Sequence, residues 1–236
     1  VSSFNGNDAN DGLSESSAFG SLFKINSLKL KAGDKVLLEK DSIFEHQYLH
    51  ISARGSKESP ILVSSYGVEG SLPIIKCGGC GIWYQDYGME LDSKAHTFKG
   101  YVSSAVLLYD CEYIDVEGLE ISNKPVNFFG ESYNQADKMN RTGVAVIAKN
   151  CGTLHDISLK NLYIHDVEGN VYDKHMNNGG IYATALTPDD EQTIGVARYD
   201  GFTIEGCTVR RVSRWGIAMG YTYEHDKFLG AYLDEE

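Results

Sequence analysis

The sequence predicts an all-β solenoid, a parallel β-helix in which each coil contains three short strands. Two patterns support this prediction: one spacing of apolar residues occurs three times, and a short apolar strand precedes each occurrence. The composition agrees, because 42% hydrophobic residues, 25 glycines and only 4 prolines in 236 residues are typical of a folded, β-rich domain.

The repeated spacing between successive apolar residues is 2, 3, 2. The three aligned rows are Ile114, Val116, Leu119 and Ile121; Ile157, Leu159, Leu162 and Ile164; and Phe202, Ile204, Cys207 and Val209. A spacing of two predicts a strand whose alternate side chains face inward. The step of three contains Gly118, Asn161 or Gly206 and predicts a bend, because Gly and Asn tolerate left-handed backbone angles.

A third strand completes each unit, and these strands begin at Ala105, Gly143, Gly179 and Gly216. The unit then repeats about every 36 to 45 residues. Three strands without a helix cannot bury their own apolar row, whereas stacked copies bury it in one continuous core. An antiparallel sandwich is the alternative, but the strands of a sandwich need not resemble one another.

Residues 1–35 are predicted to cap the open end of the solenoid, and residues 36–236 to form its coils. The apolar face of a helix predicted within the cap consists of Leu22, Phe23, Ile25 and Leu28. Terminal repeats of solenoids need caps, because the outermost coil otherwise exposes its apolar end. No comparable cap is recognisable near Glu236, so we expect the coils to be truncated there and to continue in a longer protein.

Charge and composition disfavour several kinds of partner. The formal net charge of −12 disfavours nucleic acid, because proteins that bind it are usually basic. No apolar run approaches the ~20 residues that span a membrane. Cys77 and Cys80, in the sequence CGGC, have the spacing of metal ligands, but no second pair of ligands follows. We therefore expect ordinary buried or turn cysteines there and predict no metal ligands.

The stretches SSFNGNDANDGLSESSAFGSL and LKAGDKVLLEKDSIF resemble the entry segment of bacterial right-handed parallel β-helix proteins, and AVLLYDCEYIDVEGLEISN and HDISLKNLYIHDVEGN resemble their middle coils. This pectate-lyase-like superfamily consists mostly of extracellular or cell-surface carbohydrate-active enzymes. The resemblance implies a right-handed parallel β-helix, a polysaccharide or glycan substrate, and a secreted or cell-surface location. The β-helical glycoside hydrolases look most similar, but a fold alone does not establish a reaction.

The resemblance also implies that ligands bind on one outer sheet, beside the loops that lead into it. We assign this sheet to the strands that begin with glycine. Inward-facing positions are then Val144, Val146, Ile181, Ala183, Ile217 and Met219. Alternation places Ala145, Tyr182, Thr184, Ala218 and Gly220 outward. Their small side chains predict a shallow groove floor with the Tyr182 ring available to stack on a sugar, and plain surface is the alternative.

Three loops, at residues 124–142, 166–178 and 212–215, lead into this sheet and are rich in polar residues. Long loops on one edge of a solenoid are often functional. The residues predicted to be catalytic are Asp166, Asp173 and Arg214. The residues predicted to bind substrate are Lys174, His175, Tyr182, Thr184, Arg211 and Trp215.

Geometry limits the role of Asp166. The repeat places Asn123, Asp166 and Arg211 at one stacked position on consecutive coils. A neighbouring Arg211 would keep Asp166 ionised, which suits a nucleophile, a base or a simple salt bridge. Asp173 and Arg214 lie in loops that enter consecutive strands of the sheet, so we expect them to meet on one edge of the solenoid.

Three functions follow from this site. Hydrolysis of a glycosidic bond is the first, and it needs no cofactor. The second is a polysaccharide lyase that cleaves a uronate polymer by β-elimination, with calcium as a possible cofactor. The third is a glycan-binding or adhesin-like solenoid without catalysis. In each case we expect a monomer that binds no nucleic acid.

Overall fold

The computed structural model describes residues 1–86, 99–125, 139–170 and 178–221. Almost all regular structure in this part of the chain is β, arranged in three parallel sheets. The chain visits the sheets in rotation, and each passage adds one strand to each of them. This arrangement of stacked coils is consistent with the predicted solenoid.

Sheet 1 contains β1 (Lys35–Glu39), β4 (Ile61–Tyr66), β8 (Ile114–Glu117), β11 (Thr153–Lys160) and β14 (Arg198–Glu205). Sheet 2 contains β2 (Ile43–Glu45), β5 (Ile74–Lys76), β9 (Glu120–Asn123), β12 (Tyr163–Val167) and β15 (Thr208–Val212). Sheet 3 contains β3 (Leu49–Ile51), β7 (Lys99–Tyr109), β10 (Asn140–Ala148), β13 (Gly179–Ala185) and β16 (Trp215–Tyr221). One further strand, β6 (Ile82–Asp86), pairs antiparallel with the first half of β7.

The register between coils follows the repeated spacing in the sequence. In sheet 1, Ile157 pairs with both Ile114 and Phe202. In sheet 2, Ile164 pairs with both Ile121 and Val209. The predicted bends between these two sheets are also present, because Gly118, Asn161 and Gly206 all have positive φ, between 52° and 63°. Like residues therefore stack on like along the axis of the coils.

The core lies between the three sheets. Its side chains come from the inward positions of every coil, and most of those in the middle coils are fully buried. The last described coil differs, because Phe202, Ile204 and Val209 are only half-buried. Ile217 and Met219, which we predicted to face the core, are 51% and 58% exposed. They pair with buried residues of β13, but β16 is the edge strand of sheet 3 in the described part of the chain.

The first segment contains a 3₁₀ helix (Glu15–Ser17) and α1 (Leu22–Asn26), which begins after Ser21, whose hydroxyl accepts from the Lys24 amide. Leu22 and Ile25 are buried in the common core. The predicted four-residue apolar face is wrong for the other two side chains, because Phe23 and Leu28 are 48% and 40% exposed. A helix of five residues presents only one turn to the core, and Phe23 instead packs edge-on against Tyr48.

A second short helix, α2 (Glu191–Ile194), lies between β13 and β14. Asp190 caps its N-terminus by accepting a hydrogen bond from the Thr193 amide. Over the residues that the structure describes, neither helix has the length or the apolar character needed to cross a membrane.

Candidate active site

Asp166 lies near the end of β12, on the outer side of sheet 2, and is held by an arginine from the next coil. Its carboxylate accepts a hydrogen bond from Arg211 Nε at 2.6 Å and a second from Arg211 Nη2 at 2.8 Å. Both residues have left-handed backbone angles, with φ of 50° and 51°, which are uncommon outside glycine. The predicted contact between Asp166 and Arg211 is therefore present as a bidentate ion pair.

A histidine extends this pair to a second carboxylate. His165 Nδ1 lies 2.7 Å from Asp166 Oδ2, and its Nε2 lies 2.9 Å from Glu120 Oε1 on the preceding coil. The imidazole also stacks on the Tyr163 ring, with 4.5 Å between the ring centroids. We call Glu120, His165, Asp166 and Arg211 the ionic cluster. The imidazole therefore lies between two carboxylates, each of which accepts hydrogen bonds when it is ionised.

The ionic cluster keeps Asp166 in its charged form. Hydrogen bonds from Arg211 hold the pKa of this carboxyl well below its usual range, and His165 adds to the effect against the opposing influence of partial burial. The Asp166 side chain is still 33% exposed, so its carboxylate is accessible from solvent. An accessible carboxylate that is ionised at neutral pH can act as a nucleophile or a general base at that pH, but not as a proton donor.

Glu120 is not placed to be the second carboxylate of a glycosidase. Such enzymes hold the scissile bond between two carboxyl groups, which in inverting enzymes leave room for a water as well. Here the imidazole of His165 fills the space between Glu120 and Asp166. Glu120 therefore orients the histidine that contacts Asp166. The sequence analysis did not identify this role. Glu120 pairs in register with Tyr163, which lies two residues before His165 on the same strand.

Asn123 does not occupy the position that the repeat predicted. It pairs with Val167 rather than Asp166, because the register between β9 and β12 shifts after Ile164. Asn123 is fully buried and points to the corner between sheets 2 and 3, where its amide donates to the Thr142 carbonyl at 3.0 Å. It also accepts from the Gly79 amide, at 3.0 Å. Asn123 thus joins neighbouring coils and takes no part in the ionic cluster.

The predicted exposed floor on the outer side of sheet 3 is wrong for the middle coils, whereas Ala218 and Gly220 of β16 are half-buried. Ala145 and Thr184 are fully buried and Tyr182 is 4% exposed. A second apolar cluster covers part of this side, formed by Leu107, Ala145, Ile147 and Leu186 together with the partly buried Trp83 and Tyr109. The sequence contains a signal for this burial, because AVLL (residues 105–108) and VAVIA (residues 144–148) are apolar at every position, as in strands buried on both faces.

Burial also changes the role expected of Tyr182. Burial raises the pKa of its hydroxyl above the ordinary value, while the charge of Arg214 acts in the opposite direction. Gly220 of the next strand leaves the space that this hydroxyl occupies, since a Cβ at Gly220 would collide with it. Tyr182 therefore packs against β16 instead of presenting an open ring.

Arg214 and Trp215 lie together where the chain enters β16. Arg214 has a left-handed backbone with φ of 68°, and its guanidinium lies 5.3 Å from the centroid of the Trp215 ring. Trp215 is 44% exposed, so part of its ring faces solvent. Three other predicted site residues, Asp173, Lys174 and His175, lie outside the described residues. The predicted meeting of Asp173 with Arg214 therefore stays a prediction.

Across residues 1–86, 99–125, 139–170 and 178–221, no group of three or more His, Cys, Asp or Glu side chains is placed to hold a metal ion. In this part of the chain the ionic cluster joins four ionisable side chains through three ion-pair contacts.

No protein-family profile matches the chain. Among curated proteins it is similar to a lacto-N-biosidase from Bifidobacterium longum subsp. longum, with 42% identity over an alignment of 252 positions that covers 94% of this chain. The chain spans 16% of that relative's length.

Two solved structures of the GH136 lacto-N-biosidase from Eubacterium ramulus are also similar. The native structure has a TM-score of 0.91 and 60% identity, covering 97% of this chain and 36% of that protein. The selenomethionine derivative has a TM-score of 0.90 and 56% identity, covering 98% and 38% respectively. Over nearly its whole length, the chain is thus similar in sequence and in fold to one part of these much longer glycoside hydrolases.

Proposed function

We propose that this chain is part of a glycoside hydrolase that acts on lacto-N-biose units of a glycan. The observation that carries the proposal is the similarity to the lacto-N-biosidase of known structure, with 60% identity and a TM-score of 0.91 across 97% of the chain. At such identity the described coils have the same backbone course as the corresponding part of that enzyme. No comparable observation favours the lyase or the non-catalytic solenoid.

The proposed architecture is a right-handed parallel β-helix, with residues 1–35 as its N-terminal cap and residues 36–236 as coils. Its support is the rotation of the chain through three parallel sheets and the burial of Leu22 and Ile25 at the first coil. We propose a secreted or cell-surface monomer, as for the carbohydrate-active β-helix proteins that the sequence resembles.

In the proposed reaction, Asp166 supplies a carboxylate that is ionised at neutral pH. It either attacks the anomeric carbon of the sugar or takes a proton from the attacking water. The glycosidic oxygen must receive a proton as its bond to that carbon breaks, and this needs an acid whose pKa is higher than that of Asp166. We assign this second carboxyl to Asp173. Arg211 keeps Asp166 charged and oriented through its two hydrogen bonds.

The remaining predicted residues are assigned to sugar binding. Arg214 and Trp215 offer a guanidinium and a partly exposed ring at one place, which suits a sugar that needs both a hydrogen-bond donor and a stacking surface. Lys174 and His175 belong to the loop that carries Asp173. Tyr182 and Thr184 are buried in the structure, so we assign them to the support of this region and not to direct contact with sugar.

The experiment is an assay of the full-length protein with an aryl glycoside of lacto-N-biose. We expect release of the intact disaccharide, and much slower release from an aryl glycoside of a single sugar. The configuration of the product, followed by NMR at early times, shows whether Asp166 acts as nucleophile or as base. An unsaturated product that absorbs in the ultraviolet, or no release of disaccharide, would contradict the proposal.

Variants test the assignment of Asp166. Asp166→Asn should lower kcat/KM by at least about 10²-fold, because the amide can neither attack nor accept a proton. Glu120→Gln is the matched control, since Glu120 contacts the same histidine from its other side, and it should change kcat/KM by less than about 5-fold. Equal effects of the two substitutions on kcat/KM would mean that Asp166 has only a structural role, in the ion pair with Arg211.

A second set of variants tests the loop residues. Asp173→Asn and Arg214→Ala should each reduce turnover or glycan binding at least about 10-fold while leaving Tm nearly unchanged. If both variants behave like the parent, the site lies elsewhere in the protein.

A further inference from the structure

The turn at Cys77–Cys80 brings two thiols into contact. It connects β5 to β6 and has the sequence CGGC. Gly78 and Gly79 have φ of 66° and 84°, a backbone that other residues rarely adopt. The chain can therefore fold back within four residues, and the two Sγ atoms lie 3.6 Å apart. A disulfide needs the same two atoms at ~2.05 Å, so a rotation of one side chain and a small movement of the turn would form it.

The surrounding structure holds this turn in place before any bond forms. The Cys77 amide donates to the Ser122 carbonyl at 2.9 Å, and the Gly79 amide donates to Asn123 Oδ1 at 3.0 Å. The Ser103 hydroxyl donates to the Cys80 carbonyl. The turn is thus attached to β9 of the next coil at Cys77 and Gly79, and to β7 of its own coil at Cys80. Much of the entropy that is lost on closing a disulfide has already been lost here on folding.

The two thiols differ in access and acidity, as an attacking and a resolving thiol must. Cys77 is fully buried in the core, whereas Cys80 is half-buried. A hydrogen bond between the two thiols lowers the pKa of Cys80. The same hydrogen bond, together with burial, raises the pKa of Cys77. Cys80 is therefore the sulfur that a small external reagent reaches and that forms a thiolate more readily.

We propose that Cys77 and Cys80 are a redox modification site, in which a reversible disulfide forms by exchange with a small disulfide such as oxidised glutathione. The Cys80 thiolate attacks one sulfur of that reagent, forms a mixed disulfide and releases one reduced thiol. Cys77 then loses its proton to the solvent and attacks Cys80 Sγ, which releases the second thiol. Two protein thiols are oxidised and one external disulfide is reduced, so the electrons balance.

The closed disulfide would fasten the connection between the second and third coils. The turn contacts Asn123, which also bonds to the Thr142 carbonyl of β10. A cross-link there restricts the unfolded chain only modestly, because it encloses four residues. We expect the oxidised protein to have a Tm higher by about 3–6 °C.

The experiment treats the full-length protein with oxidised glutathione and then blocks free thiols by alkylation. Trypsin cleavage after Lys76 and Lys94 places both cysteines in one peptide, residues 77–94. We expect this peptide to lose two hydrogens and to carry neither glutathione nor alkyl groups, and to recover both alkylation sites after reduction. Cys207 is the internal control: it is half-buried, its thiol contacts the Leu159 carbonyl, and we expect it to be alkylated or to retain glutathione.

Two variants assign the roles of the sulfurs. Cys77→Ser should trap glutathione on Cys80, because no second thiol can displace it. Cys80→Ser should leave Cys77 unmodified in the native protein, because Cys77 is buried. The proposal is overturned if the parent peptide carries two alkyl groups at every glutathione ratio, or if it accumulates a stable glutathione adduct like that of Cys77→Ser. It is equally overturned if the Tm of the parent responds to the oxidant no more than that of Cys80→Ser.

Discussion

The outer sides of sheets 2 and 3 were predicted from the same kind of sequence evidence, but one is accessible to solvent and the other is largely buried. On sheet 2 the outward residues Glu120, His165 and Arg211 form an accessible ionic cluster around Asp166. On sheet 3 the outward residues of the middle coils are buried. Alternation along a strand determines on which side a residue lies, but it does not determine whether that side faces solvent. A groove proposed from alternation alone therefore needs a second observation about what covers it.

The largest expected effect tests this contrast on sheet 3. Ala145→Asp should lower the free energy of unfolding by at least about 3 kcal/mol, because it places a carboxylate without a partner in a fully buried position. Ala218→Asp is the matched control, since Ala145 and Ala218 both pair with Tyr182 but Ala218 is only half-buried. It should cost about 1 kcal/mol or less. Denaturant titration measures both free energies of unfolding. Equally small losses would mean that the outer side of sheet 3 is exposed to solvent, as the sequence predicted.

The second prediction concerns the inner sides of the coils, where the depth of burial should decide the cost. Ile164→Ala should destabilise the protein by about 2–5 kcal/mol, because the side chain is fully buried between two neighbouring coils. Ile204→Ala should cost less, about 1–2 kcal/mol, because Ile204 lies in the last described coil and is half-buried. Activity per folded molecule should not change. A larger loss for Ile204 in denaturant titrations would mean that its coil is better covered than the structure shows.

The stacking of the coils could be predicted because it depends on local spacing. The 2, 3, 2 rows required only that strands alternate and that Gly118, Asn161 and Gly206 bend the chain, and the register confirms both. The contact between Asp166 and Arg211 followed from the same register. These features repeat along the chain, so a single sequence contains several copies of the evidence.

The rest of the site depends on features that occur once. The register shift after Ile164 removes Asn123 from the position next to Asp166. The 2, 3, 2 spacing of the apolar residues does not indicate that shift. The bridge through His165 to Glu120 depends on this local geometry. The cover over sheet 3 includes Trp83 of β6, a strand that runs antiparallel to β7 and belongs to no repeat. Only the apolar runs in β7 and β10 indicated that something covers them.

The smallest expected effect tests the outer side of sheet 2 through its dependence on pH. The pKa of Asp166 is lower in the folded protein than in the unfolded chain, so folding favours the ionised form. The stabilisation this gives is complete above the unfolded pKa of about 4, and it is lost as the pH falls below 4 toward the folded pKa. Asp166→Asn removes this stabilisation because the amide does not ionise. Arg211→Ala removes most of it, because Arg211 is the main cause of the lowered pKa of Asp166. The parent should therefore have a higher Tm than either variant from pH 7 to about 5, by an amount that is constant over this range. Below about pH 4 the difference should shrink.

The double variant should lose no more stability than the more damaging of the two single variants, because both substitutions remove the same interaction. Differential scanning calorimetry across this pH range measures the differences. A gap between parent and Asp166→Asn that stays constant down to pH 3 would show that the ion pair contributes nothing to stability and that Arg211 only orients the carboxylate.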